Sequence, residues 1–366
     1  MRRTLRSLLV IGVVLVCTGV LFAQGKQADR DKEGKRTIKV MTYNVDEGTD
    51  FVEALGAQTF DQFLAAVELT LNNVIASNPP LRMKGIAHQI AETQPDLVGL
   101  QEVTTWRVGP GPNPTHIQFD MLQELLDALE DQGQHYVPVV VVHDFVLQAP
   151  LPDLTTFVEA MDSDVILARS EKHQDQDGLR LSNVQTQSFQ TLLTLPTLIG
   201  SLTSIRGWGS VDVTFHHESF RFIVTHLENV IPQAPVTALI QQAQAAELIL
   251  GPANTLMPVI IAGDFNADAA NPNDPTFATY QEMINAGFGD AWTATHHRDP
   301  GFTWGQTPGD RNPISTLTQR IDFVFFHGEI RALNSKLAGA EPHDRIHGFW
   351  PSDHAGVGAT LQVGKD

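Results

Sequence analysis

"VIIAGDFNAD", residues 259–268, is the stretch on which the fold turns. Val259 to Ala262 suit a buried strand, and that strand runs straight into Gly263-Asp264-Phe265-Asn266. A carboxylate and an amide at the end of a buried strand cost free energy unless something pairs with them. Read alone, Asp264 and Asn266 make an Asx-turn, in which a short polar side chain bonds nearby backbone. Gly263 is expected to let the backbone turn so that both side chains face one cleft.

The pattern recurs along the chain. "TIKVMTYNV" (37–45) reads as a strand and delivers Asn44 with Asp46 just beyond it. "DLVGLQEV" (96–103) delivers Gln101 and Glu102, "FIVTHLEN" (222–229) delivers His226, and "RIDFVF" (320–325) carries Asp322. "WPSDHAGVGA" (350–359) presents Asp353 and His354 just before a strand. Each has a local explanation. Asn44 suits a turn, Asp46 a surface loop, Glu102 a surface ion pair and His226 a satisfied core position. Asp322 suits an ion pair with Arg320, and Asp353 and His354 suit a cap. Together these explanations require independent coincidences, whereas one site at converging strand ends requires none.

The donor set is chemically coherent. Asn44, Asp46, Glu102 and Asp353 offer hard oxygen ligands, which suit Mg²⁺ or Mn²⁺, as one ion or two. His226 and His354 exchange protons near neutral pH. Asp264 can orient or deprotonate water, Asn266 can hold a phosphate oxygen, and Asp322 can hold a histidine in one tautomer. The reaction class this suggests is metal-assisted attack of water on phosphorus. No His-Glu-x-x-His, Gly-x-Ser-x-Gly, P-loop or dinucleotide glycine fingerprint occurs.

Between these ends, helical spacing covers 60–76, 82–93, 117–131 and roughly 236–250. Further strands are expected at 136–142, 164–170, 320–326 and 355–363, with a hairpin formed by "SVDVTF" and "SFRFIVTHL" about "HHE" (216–218). Alternating strands and helices early, with hairpins later, predict a mixed sheet system.

In order, "TYNVD", "GLQEV", "VTHLE", "GDFNA", "RIDFVF" and "SDHAGV" closely resemble the endonuclease/exonuclease/phosphatase superfamily. Its members include DNase I-like nucleases, apurinic-site endonucleases, inositol polyphosphate 5-phosphatases and neutral sphingomyelinases. The resemblance covers about residues 37–363. It implies a four-layer α/β sandwich: two mixed β-sheets packed face to face with helices outside, and a site at one end of the sheets. By carry-over, Asn44, Asp46, Glu102 and Asp353 look like the metal side. Asp264 and Asn266 look like the water-activating and phosphate-orienting pair. His226 and His354 look like the phosphate-binding and proton-transfer histidines, with Asp322 orienting His354. Asp162 or Asp164 matches an acidic support for the first histidine. Arg169 in "LARS" matches a basic position, read either as a phosphate contact or as a surface ion pair. Of the open choices for the base, Asp264 is preferred, with His354 as the main transition-state stabiliser.

The chain has 366 residues, with 24 Lys and Arg against 42 Asp and Glu, a formal net charge of −18. This lacks the basic footprint of a non-specific polyanion binder, although a bound divalent cation can supply local positive charge. Arg2, Arg3 and Arg6 precede an apolar run from Leu8 to Phe22 that ends at Ala23, so residues 1–23 read as a signal peptide. Residues 24–36 read as a flexible polar tether and 37–366 as a single domain. The protein is therefore expected to be exported, secreted or periplasmic, with an uncleaved N-terminal membrane tether as the alternative. Cys17, the only cysteine, lies in the signal segment, which leaves the mature chain without a disulfide or thiol nucleophile.

Substrate choice is expected in the long loops 104–116, 143–205 and 267–312, with aromatic groups in "RGWG" (206–209) and "GFTW" (301–304). The first expectation is an extracellular nuclease or phosphodiesterase acting as a monomer with no obligate protein partner. The second is a sphingomyelinase-like or inositol-phosphate-type enzyme, for which "TLLTLPTLIGSLT" (191–203) supplies a candidate exposed hairpin. A non-catalytic binding protein on the same scaffold is the third, and it predicts loss of a core site residue, yet all are present. The substrates entertained are thus a nucleic acid, a lipid head group or an inositol phosphate.

Overall fold

The computed structural model describes residues 37–170, 178–198, 200–231 and 234–364, so the signal and tether segments lie outside the described residues. The chain starts with β1 (Thr37–Asn44), α1 (Val52–Gly56), α2 (Phe60–Ser77), α3 (Pro79–Thr93), β2 (Leu97–Gln101), β3 (Thr105–Pro110), β4 (His116–Asp120) and α4 (Met121–Glu130). There follow β5 (Tyr136–Pro150), β6 (Thr156–Arg169), β7 (Arg180–Ser188), β8 (Leu193–Thr197), β9 (Gly200–Ser204), β10 (Gly207–Phe215) and β11 (Glu218–His226). The last part holds α5 (Val236–Leu250), β12 (Val259–Asp264), α6 (Phe277–Asn285), β13 (Gly289–Asp290), α7 (Ala291–Thr295), β14 (Asp322–His327), β15 (Ile330–Ala338) and β16 (Gly356–Val363).

One sheet has the order β15-β16-β1-β2-β6-β3-β4, with β5 paired to β6, and the other has β13-β14-β12-β11-β10-β7. Both are mixed: β1 and β2 run parallel, as do β11 and β12, and the neighbouring pairs are antiparallel. The two sheets pack face to face with helices outside, a four-layer α/β sandwich.

The layers follow from strand alternation, since successive side chains point to opposite faces. Ile38 and Val40 of β1, Phe222 and Val224 of β11, Ile260 and Ala262 of β12, and Val324 of β14 fill the space between the sheets. Their neighbours Met41, Tyr43, Val98 and Leu100 face α3 and α4, meeting Met83, Ile86, Ile90, Leu125 and Leu129. On the other side Val259, Ile261, Phe323 and Phe325 meet Leu248 of α5 and Met283 of α6. Counting on by twos, Asn44, His226, Asp264 and Asp322 all share the parity of the inner face. The period that buries the core thus sets four polar groups at the mouth of the inter-sheet space.

Close approach of the backbones requires glycine at two positions. A Cβ on Gly99 would meet the Ala262 Cβ at 3.0 Å, and one on Gly263 would lie 2.4 Å from the Thr225 carbonyl oxygen. Gly263 therefore serves strand packing inside β12 rather than the expected turn, which Asn266 makes at φ 50°.

Several boundaries differ from the sequence expectation. The helix expected over 117–131 starts at Met121, because Ile117 and Phe119 pair with β3 and Asp120 caps the helix by accepting from the Gln123 N–H. The described residues of 143–205 are mostly strand: β5 and β6 form one long hairpin, closed by the Asp153 carboxylate accepting from the Thr155 and Thr156 N–H groups. The run 191–203 makes the two-stranded β8–β9 hairpin. Among the described residues no helix is long and apolar enough to cross a membrane.

Candidate active site

His226, Asp264 and Asp322 lie side by side at the ends of β11, β12 and β14, since the registers pair His226 with Asp264 and Asp264 with Asp322. Asn44 ends β1 in the facing sheet, in register with Gln101. Asn44 closes the gap between the sheets: its Nδ2 donates to Asp264 Oδ2 at 3.0 Å and to Glu102 Oε1 at 2.8 Å. Glu102 follows β2 at φ 60°, in the left-handed region that a non-glycine residue seldom adopts. Its second oxygen accepts from the Glu47 N–H at 3.0 Å.

The histidines flank Asp264, with His226 Nε2 3.5 Å and His354 Nε2 3.8 Å from its Oδ2. His354 Nδ1 lies 2.9 Å from Asp322 Oδ2. Asp322 is therefore not the partner of Arg320, which pairs with Asp290 instead. The loop before β16 is pinned by Ser352, whose hydroxyl donates to the Asn44 carbonyl at 2.8 Å and accepts from the His354 N–H at 3.0 Å. Asp353 is held by the Trp304 indole N–H at 3.0 Å, with its side chain 28% exposed at the rim.

His226 also contacts Arg206, whose Nη1 is 2.8 Å from His226 Nδ1. A guanidinium only donates, so Nδ1 accepts and the proton of the neutral ring sits on Nε2. Asn266 Nδ2 stands 3.1 Å from that Nε2 and donates to the Leu227 carbonyl at 3.0 Å. The Asx-turn is present as well, with the Asn266 N–H donating to Asp264 Oδ1 at 2.8 Å. The local reading and the site reading of these residues hold together.

One predicted residue has its carboxylate engaged by a neighbour, and another lies away from the site. Asp46 is turned to Arg82 Nη1 at 3.3 Å and accepts from the Gly48 N–H at 2.6 Å. Arg169 is not brought to this end at all. β6 runs antiparallel to β2 with Ala168 opposite Leu97, so Arg169 lies opposite Asp96 just before β2, about 16 Å along the strand from Gln101. There it donates to the Tyr136 hydroxyl and to Gln134. Its place in "LARS" matched a pattern, but the strand direction carries it to the far edge.

A sequence profile of the Endonuclease/Exonuclease/phosphatase family matches residues 41–354. The chain belongs to this family. Members are phosphoester hydrolases, and this chain is a phosphoesterase on that ground. A family structure from Bacteroides vulgatus superposes with a TM-score of 0.54 at 14% identity, covering 90% of this chain and 99% of that one. One from Beutenbergia cavernae gives 0.52 at 20% identity, covering 90% and 72%. D. rerio TDP2 humanized by 14 mutations gives 0.53 at 16%, covering 89% and 99%. At such identities the likeness concerns the fold alone. No curated protein matches the sequence.

The electrostatics of this family member separate its two histidines. Burial, then Arg206 and His354, push His226 well below its ordinary value, which keeps the ring neutral. Burial alone would lower His354 too, but Asp322, Asp353 and Asp264 raise it well above. Burial with nearby Asp322 lifts Asp264 to about 7, burial with Asp353 lifts Glu102 to about 7, and burial lifts Asp353 to about 6. Carboxylates pressed together in a dry pocket want a cation. Glu102, Asp264 and His354 already offer ligand atoms within 4.8 Å of one another. Mostly oxygen donors with a surplus of negative charge fit Mg²⁺ or Mn²⁺.

Sequence reasoning missed Arg206, read in "RGWG" only for its tryptophan. Trp208 is buried in the same core cluster as Phe189 and Ile223, while Trp304 is 37% exposed at the rim. It also missed Arg82 and Asp144, whose isolated positions carry no motif. Asp162 supports His226 through Arg206, whose Nη1 lies 3.9 Å from Asp162 Oδ2, and Asp162 is itself held by the Thr104 hydroxyl at 2.9 Å.

Proposed function

We propose that the protein hydrolyses a phosphodiester or phosphomonoester by attack of water on phosphorus, dependent on Mg²⁺ or Mn²⁺. The observation that carries this is the convergence of Asn44, Glu102, His226, Asp264 and His354 at one mouth. Asp264, raised toward neutrality, takes the proton from the attacking water. The charged His354, kept so by Asp322, stabilises the negative charge that develops on the phosphoryl oxygens. His226 and Asn266, whose Nε2 and Nδ2 stand 3.1 Å apart, hold a phosphoryl oxygen. Glu102 and Asp353, with Asn44 and Asp46 close by, would hold the metal, which supplies charge neutralisation and a more acidic water.

Asp264→Ala or His354→Ala lowers kcat by on the order of 10²–10⁴-fold with Mg²⁺, while the circular dichroism spectrum stays native. A variant with near wild-type kcat would overturn the assignment.

For the substrate, an exported nuclease or phosphodiesterase is the first reading, with export resting on the N-terminal signal. One observation favours the second, an enzyme of lipid-type phosphoesters. An apolar cavity of about 270 Å³ is lined by Phe51, Leu55, Phe63, Trp106, Val146 and Leu202, where the β8–β9 hairpin meets α1 and α2. It adjoins the catalytic group: the Trp106 indole donates to the Glu47 carbonyl at 3.1 Å, and Glu47 leads to Glu102. Plasmid DNA, RNA, sphingomyelin, inositol phosphates and a bis-phosphodiester reporter, each with Mg²⁺, Mn²⁺, Ca²⁺ or EDTA, separate the readings. Cleavage of none with any metal points to a binding protein.

A further inference from the structure

Beside the catalytic mouth the floor of the inter-sheet space changes character. On β6, Asp164, Asp162, Ala160 and Val158 occupy every second position, so all four point to one face of the strand. Asp162 and Asp164 stand level with the end of β2, where the Val103 N–H donates to the Ser163 carbonyl. Ala160 and Val158 belong instead to an apolar cluster with Trp106, Phe63 and Val67. Trp106 faces Ala160 across the β3–β6 ladder. Ala160 is two residues past Asp162, roughly 7 Å along the strand. The strand that carries acids of the mouth therefore runs on into the floor of the apolar cavity of about 270 Å³.

The cavity has the marks of a ligand site. At its rim Leu55 is 44% and Val146 55% exposed, and Leu198, next to the lining residue Thr197, is 50% exposed. Large apolar side chains gathered at an opening mark a place that meets an apolar partner. Thr70 of α2 also lines the cavity, is 5% exposed, and its hydroxyl has no hydrogen-bond partner among the described residues. A hydroxyl buried without a partner costs free energy, which a ligand carbonyl would recover. A cavity of about 150 Å³ holds benzene, so one of about 270 Å³ holds a chain of roughly ten carbons. An apolar chain of that length with one acceptor is an acyl chain.

We infer that this cavity is the acyl subsite of a lipid phosphoester. The phosphoryl group sits at the mouth, and one acyl chain follows β6 into the cavity, its carbonyl accepting from the Thr70 hydroxyl. The inference rests on the lipid-type reading of the substrate and deepens it, since a nucleic acid has no such chain to place there.

The test uses p-nitrophenyl phosphodiesters of monoacylglycerols, from butanoyl to dodecanoyl, each below its micellar concentration, with Mg²⁺ or Mn²⁺. Binding is read separately, by calorimetry with decanoylglycerol on the EDTA-treated protein. In the native protein kcat/KM rises about three- to fourfold per added methylene and levels off at roughly ten carbons. Ala54→Phe/Leu202→Phe, which fills the cavity, removes that rise, leaves the butanoyl substrate unchanged and weakens decanoylglycerol at least tenfold. Thr70→Val keeps the shape and removes the preference for acyl over alkyl-ether chains of equal length, which keeps the test open should the filled protein fold poorly. A rise with chain length that filling leaves intact overturns the subsite while the lipid reading stands. Decanoylglycerol bound by the native protein and lost on filling, with no acyl diester hydrolysed, overturns the lipid reading and with it the cavity's part in the reaction. No binding of decanoylglycerol to the native protein overturns the subsite outright.

Discussion

At the scale of single residues, the pair of histidines shows how environment divides one chemistry into two roles. His226 is kept neutral by burial and by a guanidinium on its Nδ1, and His354 is kept charged by Asp322 2.9 Å from its Nδ1. Removing the carboxylate should undo the second. Asp322→Asn lowers the pH at which His354 loses its proton, because the group that raises it is gone. The alkaline limb of the kcat/KM profile then moves to lower pH, and kcat falls about 10²-fold at neutral pH. A profile of pH against kcat/KM for the two proteins checks this, and an unmoved alkaline limb would mean that His354 is not the titrating group. The placement of Asn44, Asp264, Asp322 and His354 was readable because each ends or adjoins an apolar strand with a fixed alternation. Arg206 and Asp144 were not readable: their meaning depends on partners that no local pattern reveals.

At the scale of elements, α3 is more than a cover for the first sheet. Arg82 in its first turn is fully buried and donates to the carbonyls of Val45 at 2.8 Å, Asp46 at 2.7 Å and Pro351 at 3.3 Å. One guanidinium therefore ties the helix to the chain leaving β1 and to the segment that presents Asp353 and His354. Arg82→Met leaves those carbonyls, the Asp46 carboxylate and the buried Asp310 without their cation. A loss of about 3–5 kcal/mol is expected on urea unfolding, together with weaker binding of the first metal because Asp46 and Asp353 are no longer held. If stability falls while metal affinity does not, the helix supports the fold but not the site. Strand direction is the element-level fact that removed Arg169, since antiparallel β6 carries its end away from the mouth. The start of α4 illustrates a different limit. Phe119 fits a helical period, yet its pairing opposite Trp106 outweighs that period.

For the whole molecule, the gathering of acids makes stability depend on pH in an unusual direction. Folded Glu102 and Asp264 sit at about 7 and Asp353 at about 6, so they hold protons that the unfolded chain has already released above about pH 4.5. Where the native state binds more protons, stability falls as pH rises. The raised His354 adds to this trend above its ordinary value, and the lowered His226 opposes it below. The carboxylates outnumber His226, so the EDTA-treated protein is expected to melt about 4 °C or more lower at about pH 7.5 than at about pH 5.5. Saturating Mn²⁺ removes the difference, because the cation replaces the protons. Melting curves at the two values, with and without metal, check both halves. A flat metal-free profile would show that the acids are compensated by some other means.

The sequence by itself determined the family, the four-layer arrangement and the polar groups at the strand ends. These depend on alternation and on motif order, both of which are local or nearly so. Gly263-Asp264-Phe265-Asn266 already announced a turn and a polar mouth. Only the tertiary structure decided which groups meet. It set Asp46 against Arg82, sent Arg169 to the far edge, placed Arg206 on His226 and gathered Asp144 with Asp164. Those outcomes depend on sheet register and strand direction, which bring together residues far apart in the chain. It also turned the run 191–203 into a hairpin beside an apolar cavity, where loop composition alone left the choice of substrate open.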